Sequence, residues 1–182
     1  MPIYISLLRG INVGGHKRIK MELLRTSFEK LGFEQVQTYI QSGNVIFKSA
    51  KLSPSKLSKR IEETILSDFG FPVSVVTRTV GEMAETVGNN PFLKERGIDL
   101  EKLHVMFLSD APAAAALKRL ADLIAAPDQS RYLGKAIYLY LPNGAAGSSL
   151  MKSPLDRLLS VVTTTRNWRT VNAIHQMCQE CR

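Results

Sequence analysis

The chain is poor in the side chains that most often bind metals or carry redox chemistry, with two cysteines and three histidines in 182 residues. Both cysteines fall in His175-Gln-Met-Cys178-Gln-Glu-Cys181. On a helix these three-residue spacings bring His175, Cys178 and Cys181 near one face, as a zinc site requires. A fourth ligand is missing, and the pair sits at the wrong end of a helix for the dipole to lower a thiol pKa. The sequence therefore predicts no metal and no cofactor. The serines have no evident His and Asp arrangement, and His16, His104 and His175 are scattered, so no triad or dyad names a reaction. No run of roughly 18 apolar residues suggests a membrane span. The start, MPIYISLL, lacks the basic segment and small-residue cleavage site of a signal peptide, and a cytoplasmic location is expected.

Acidic residues are also scarce in one place. Residues 1 to 60 hold 11 Lys and Arg against only Glu22, Glu29 and Glu34, whereas the remainder holds 13 of each sign. The whole net charge of +8 therefore arises in the first third. Such an excess suits an anionic partner, either nucleic acid or a phosphorylated small molecule, and equally suits a solvated, solubilising face. The 45% hydrophobic and 22% charged composition is that of a globular chain forming one domain or two small ones.

Short β-rich runs alternate with helical periodicity. Strands are expected at 3–8, 37–41, 44–48 and 72–77, with helices at about 20–32 and 54–68. That order is β-α-β-β-α-β, the split βαβ arrangement of ferredoxin-like domains. It recurs as a strand at 103–108, a helix to about 125, strands at 130–133 and 136–141, a helix at about 149–159 and SVVT at 160–163. This tetrapeptide is identical to SVVT at 74–77. The expected fold is α+β, with two tandem ferredoxin-like units at 1–90 and 98–182, each followed by an extra helix. Gly88 to Gly97 would link them, and the two units can pack as one domain.

Topology then identifies candidate binding residues. In a split βαβ sheet the first two strands are parallel, so the loop RGINVGG and the turn QSGN emerge at one edge. Arg9, Asn12, Ser42 and Asn44 should share a space there. The second unit has no such loops, and a feature present in one copy alone points to function. Gly10, Gly14 and Gly15 match neither the dinucleotide fingerprint nor the P-loop. They do expose backbone N–H groups beside His16, Lys17, Arg18 and Lys20, an arrangement that can hold an anion. The alternative is that the glycines supply only positive φ angles.

IYISLL resembles the first strand of RNA-recognition motifs, but alternation places Phe47 beside Val45 on the face opposite Asn44, Ile46 and Lys48. Phe47 is therefore expected in the core, away from any stacking surface. A second polar cluster, VVTTTRNWRTV, offers Arg166 and Asn167; Thr163 to Thr165 and Asn167 can equally cap the last helix. The loop Asn143 to Ser149 with Lys152 is a third possible anion nest, or a plain helix start.

On LLRGINVGG, TYIQSGNVIF and TTTRNWRTV, in that order, the chain resembles the bacterial domain of unknown function 1697 family over nearly its whole length. The resemblance implies an α and β fold with an internal duplication, and no established activity. It carries over at Arg9, Gly10, Asn12, Gly14, Gly15, Tyr39, Ser42, Gly43, Asn44, Thr165, Arg166, Asn167 and Trp168; the terminal CQEC lies outside it.

The expectation is a protein that receives an anionic, phosphate-bearing ligand (nucleotide, metabolite or nucleic acid) at the RGINVGG and QSGN edge, with Arg166 and Asn167 as further ligands. The alternatives are nucleic-acid binding through the basic amino-terminal face and a non-catalytic structural or partner-binding module. Catalysis in the same pocket stays open, with no general base to name.

Overall fold

The structure, a computed structural model, describes residues 1–181. The described residues divide into two compact units, Met1–Glu85 with the segment from Ala173 onward, and Thr86–Asn172. No helix among the described residues is long and apolar enough to cross a membrane.

The first unit runs β1 (Ile3–Leu8), α1 (Met21–Lys30), β2 (Glu34–Tyr39), β3 (Asn44–Lys48), α2 (Pro54–Phe69), β4 (Val75–Thr79) and α3 (Val80–Gly88). Its antiparallel sheet has the order β2-β3-β1-β4. The period-2 pattern of β1 and β3 sends Tyr4, Leu8, Val45 and Phe47 to one side, where α1 and α2 contribute Leu24, Phe28, Leu57, Ile61 and Ile65. Phe47 is the centre of this core, stacked on Phe33 at 4.5 Å and edge-on to Phe28 at 5.3 Å. The opposite face is closed too: Ile5, Leu7, Ile46 and Val76 are buried. As the alternation predicts, Phe47 lies in the core and not on a stacking surface.

α2 starts at Ser53, whose hydroxyl accepts from the Lys56 N–H, and stops at Gly70 in the left-handed region. Thr79 and Glu82 form a capping box at the start of α3, each side chain accepting the other's backbone N–H.

The second unit repeats the scheme with β5 (Leu103–Leu108), α4 (Ala114–Leu123), β6 (Gln129–Leu133), β7 (Ala136–Tyr140), α5 (Leu155–Leu159), β8 (Thr163–Asn167) and α6 (Trp168–Glu180). Its sheet order, β6-β7-β5-β8, is the same. The last turns of α6 group with the first unit.

Two expectations need correction. The strands β4 and β8 lie further along than 72–77 and 160–163, and SVVT is not the repeat. Ile5 pairs with Arg78 and Val105 with Arg166, so Thr77-Arg78-Thr79 corresponds to Thr165-Arg166-Asn167. The helix expected at 149–159 is only a 3₁₀ turn (Leu150–Lys152) and five residues of α5, because Pro154 lacks the N–H that a continuous helix needs. Within the connecting segment 88–97, Asn90 caps a 3₁₀ turn, and Phe92 is buried beneath the Arg131 guanidinium at 4.8 Å.

Candidate functional site

The loop between β1 and α1 folds on itself before it can present anything. Gly14 and Gly15 both have positive φ, 58° and 79°, at the centre of a tight turn closed by the His16 N–H on the Val13 carbonyl at 3.1 Å. Two successive positive φ values are the signature of a type I′ turn. Asn12, itself at φ 55°, then latches the loop. Its Nδ2 donates to the carbonyls of Ile19 at 3.0 Å and Gln41 at 2.8 Å, and its Oδ1 accepts the Ile19 N–H at 2.9 Å. The loop and the hairpin turn meet as the topology requires.

The hairpin turn is held as firmly. The Leu8 N–H donates to the Gly43 carbonyl at 2.8 Å. A Cβ on Gly43 would lie 2.7 Å from Ile11 Cδ1 and 2.8 Å from Leu8 Cβ, so only glycine lets the two segments touch. Asn44 is 0% exposed, and its Nδ2 donates to the Tyr39 carbonyl and to Ser42 Oγ, both at 2.9 Å.

These contacts sort the expected ligand residues. Asn12 and Asn44 fold the loops, and Asn44 is closed to any ligand. Ser42 is half-buried against Asn44. Gly10, at φ 65°, is exposed. Arg9 is half-buried, and burial lowers its pKa. Lys17 Nζ donates to the Pro72 carbonyl at 2.7 Å, tying the loop to the connection before β4.

Arg166 and Asn167 belong to the second unit. Arg166 is 7% exposed, and its Nη1 donates to Thr164 Oγ1 at 2.8 Å and the Thr165 carbonyl at 2.9 Å. Burial brings its pKa down to about 10, so it stays charged at neutral pH. Asn167 Oδ1 accepts the Thr170 N–H at 2.8 Å and caps α6. The first unit has Arg78 and Thr79 at the same positions, Arg78 buried and Thr79 capping α3. A pair present in both copies does structural work in both. Thr163 to Thr165 are strand residues, not caps.

What remains open is a cleft of about 590 Å³ beside the loop. Arg18 and Lys20 supply its charge, and no carboxylate lines it. Both cations are exposed, with no ion pair or side-chain hydrogen bond among the described residues. Ile19, Leu23 and Phe69 form its apolar part, while Asn12 and Gln41 border it. Lys20 is also the residue before α1 and makes no side-chain cap, so the positive end of that helix opens here.

Leu23, Gln41 and Phe69 were not foreseen. Leu23 had a signal, since two adjacent leucines on a helix cannot both face the core; Phe69 reaches the cleft from the distant end of α2.

The remaining cations of the first 60 residues are elsewhere. β3 runs antiparallel to β1, so the chain after Lys48 leaves at the opposite end of the sheet, where Leu52 accepts a hydrogen bond from Tyr4. Lys56, Lys59 and Arg60 border a separate hollow of about 420 Å³ there. The strand length sets the two basic groups roughly 17 Å apart.

No group of three or more His, Cys, Asp or Glu that could hold a metal occurs among the described residues. Cys178 is buried, and Cys181 Sγ accepts from Gln37 Nε2.

The fold defines a duplicated ferredoxin-like α+β protein, whose first copy has a cleft bordered by Arg18 and Lys20 beside the β1–α1 loop. Residues 1–138 match the family described as "Protein of unknown function (DUF1697)", and the chain belongs to it. It is similar to the solved structure of the conserved bacterial protein SP0830 from Streptococcus pneumoniae, with 28% identity and a TM-score of 0.77 over 97% of this chain and 98% of that one. No curated protein matches.

Proposed function

We propose that the protein binds a small anionic, phosphate-bearing ligand in the cleft beside the Asn12 to Lys20 loop. The supporting observation is the charge of that cleft. Arg18 and Lys20 stand without partners at the uncapped start of α1, and the lining holds no carboxylate to compensate them. Charge-assisted hydrogen bonds to a phosphate would satisfy both the side chains and the free N–H groups of the first turn. The other copy lacks these features, so the loop answers to something other than folding.

Nucleic-acid binding is the second reading, favoured by the hollow that Lys56, Lys59 and Arg60 border together with Glu63. A polyanion would have to span both groups and release counterions at each, giving a steep salt dependence. A cleft ligand depends on one group only.

The test is thermal shift of the full chain with phosphate, sugar phosphates, nucleotides and short oligonucleotides, at low and moderate salt. Ligand-induced stabilisation should disappear in Arg18→Ala/Lys20→Ala and persist in Lys56→Ala/Lys59→Ala. Loss in the second variant only would refute the cleft reading in favour of the nucleic-acid one.

A further inference from the structure

The composition of the cleft constrains its ligand beyond charge. Inorganic phosphate or a sugar phosphate would engage Arg18 and Lys20 and leave the apolar wall uncovered. That wall is substantial: Leu23 is 53% exposed although it occupies the first turn of α1, and the half-buried Phe69 lines the same space from the end of α2. Val13 and Ile40, each next in sequence to a cleft residue, are also exposed. Met1 and Leu66 are the other exposed large apolar residues of the first unit, and of the five only Leu23 lines the cleft. Gln41 adds a free amide, since only its backbone carbonyl is engaged, by Asn12. A primary amide offers a donor and an acceptor side by side, the pattern that pairs with the edge of a base.

Resting on the reading that Arg18 and Lys20 hold an anion, we infer that the ligand is a mononucleotide. Its base lies against Leu23 and Phe69, its edge is read by Gln41, and its phosphate meets the two cations. The volume of about 590 Å³ suits one such unit. Stacking on apolar and aromatic walls tolerates any base, and Gln41 supplies the preference among them.

Calorimetric titration of the full chain with AMP, GMP, CMP, UMP, a dinucleotide, ribose 5-phosphate and inorganic phosphate separates the base contact from the anion site. At least one nucleotide should bind about tenfold more tightly than ribose 5-phosphate. Leu23→Ala and Gln41→Ala should each weaken that nucleotide about threefold or more, leaving ribose 5-phosphate unchanged, whereas Arg18→Ala should weaken both. Both positions are exposed, and melting of the unliganded variants verifies folding.

Equal affinity for ribose 5-phosphate and every nucleotide would overturn the mononucleotide inference and leave the anion site standing. Failure of every probe to bind, or binding indifferent to Arg18→Ala, would overturn both. A dinucleotide bound more tightly than any mononucleotide would overturn the inference in favour of a nucleic-acid strand.

Discussion

The two units share a sheet order and the main-chain bonds that close the end of their first strands. The Leu8 N–H donates to the Gly43 carbonyl and the Arg9 N–H to that of Ser74; correspondingly Leu108 donates to Lys135 and Ser109 to Val162. They even carry equal net charge, with 13 bases and nine acids in the first and 11 and seven in the second. Beyond that closing pair of bonds they part. The first unit continues into a latched, glycine-turned loop with Arg18 and Lys20; the second continues into Ser109-Asp110-Ala111-Pro112, where Asp110 accepts the Ala111 N–H. Where Leu7 faces the buried amide of Asn44, Phe107 faces Ala136. Neither α1 nor α4 has a side-chain cap; Arg18 and Lys20 precede α1, whose first turn carries Glu22, whereas Asp110 precedes α4, whose first turn carries no acid. A common scaffold has thus been elaborated at one edge of one copy, and charge placement, not net charge, distinguishes the copies.

The sharpest way to break this comparison is at the hairpin turn. Gly43→Ala combines a left-handed φ with contacts under 3 Å to Ile11 and Leu8, and should cost about 3 kcal/mol or more. The equivalent Lys135→Ala should change stability by less than about 0.5 kcal/mol, its ion pair with Asp110 being exposed and 4.0 Å long. Denaturation midpoints in urea compare the two directly, and similar losses would mean that both turns are equally constrained. Next in size is Asn12→Ala. It removes three hydrogen bonds and should lower stability by about 2 kcal/mol, whereas Asn12→Asp keeps the acceptor for the Ile19 N–H and falls between.

The smallest effect concerns a position that the copies share. Glu62 accepts the Val75 N–H at 2.7 Å, as Asp156 accepts the Thr163 N–H at 2.9 Å. Burial, the largest influence, raises the pKa of Glu62; the Val75 hydrogen bond lowers it and nearby Glu63 raises it. A raised folded-state pKa means that the folded protein binds the proton more tightly. The resulting stability is present below the ordinary carboxyl value of 4.5 and is lost as pH rises through the folded value. Wild type should therefore lose stability relative to Glu62→Gln between pH 4 and pH 7. A difference of opposite sign would show that the hydrogen bond outweighs burial.

Much of the architecture was legible because IYISLL, NVIFK and AIYLY are dense in β-branched and aromatic residues with turn residues at their borders. β2 was read late because Gln35, at φ 50°, lies within a register shift between Glu34 and Gln37 that interrupts the alternation. β4 and β8 were misaligned because Val and Thr have similar strand preferences, and SVVT hid the true correspondence of Arg78 with Arg166. Topology alone revealed that the two loops meet. It could not reveal that Asn12 and Asn44 would be engaged in holding them, since an asparagine suited to a ligand is equally suited to a carbonyl five, seven or 29 residues away. Nor could it bring Phe69 to the cleft, because that depends on how α2 lies against α1.

The paired bonds that close both strand ends make the second unit an internal reference for the first. Its sheet presents Leu108 and Ser109 with the main-chain contacts that launch the first loop, so a chimaera carrying Arg9 to Lys20 between Leu108 and Ala114 is expected to keep the register of β5. The graft must bring Gly in place of Lys135, since Ile11 rests where a side chain would stand. The chain carries, in its own second half, a blank against which its first half can be rebuilt piece by piece.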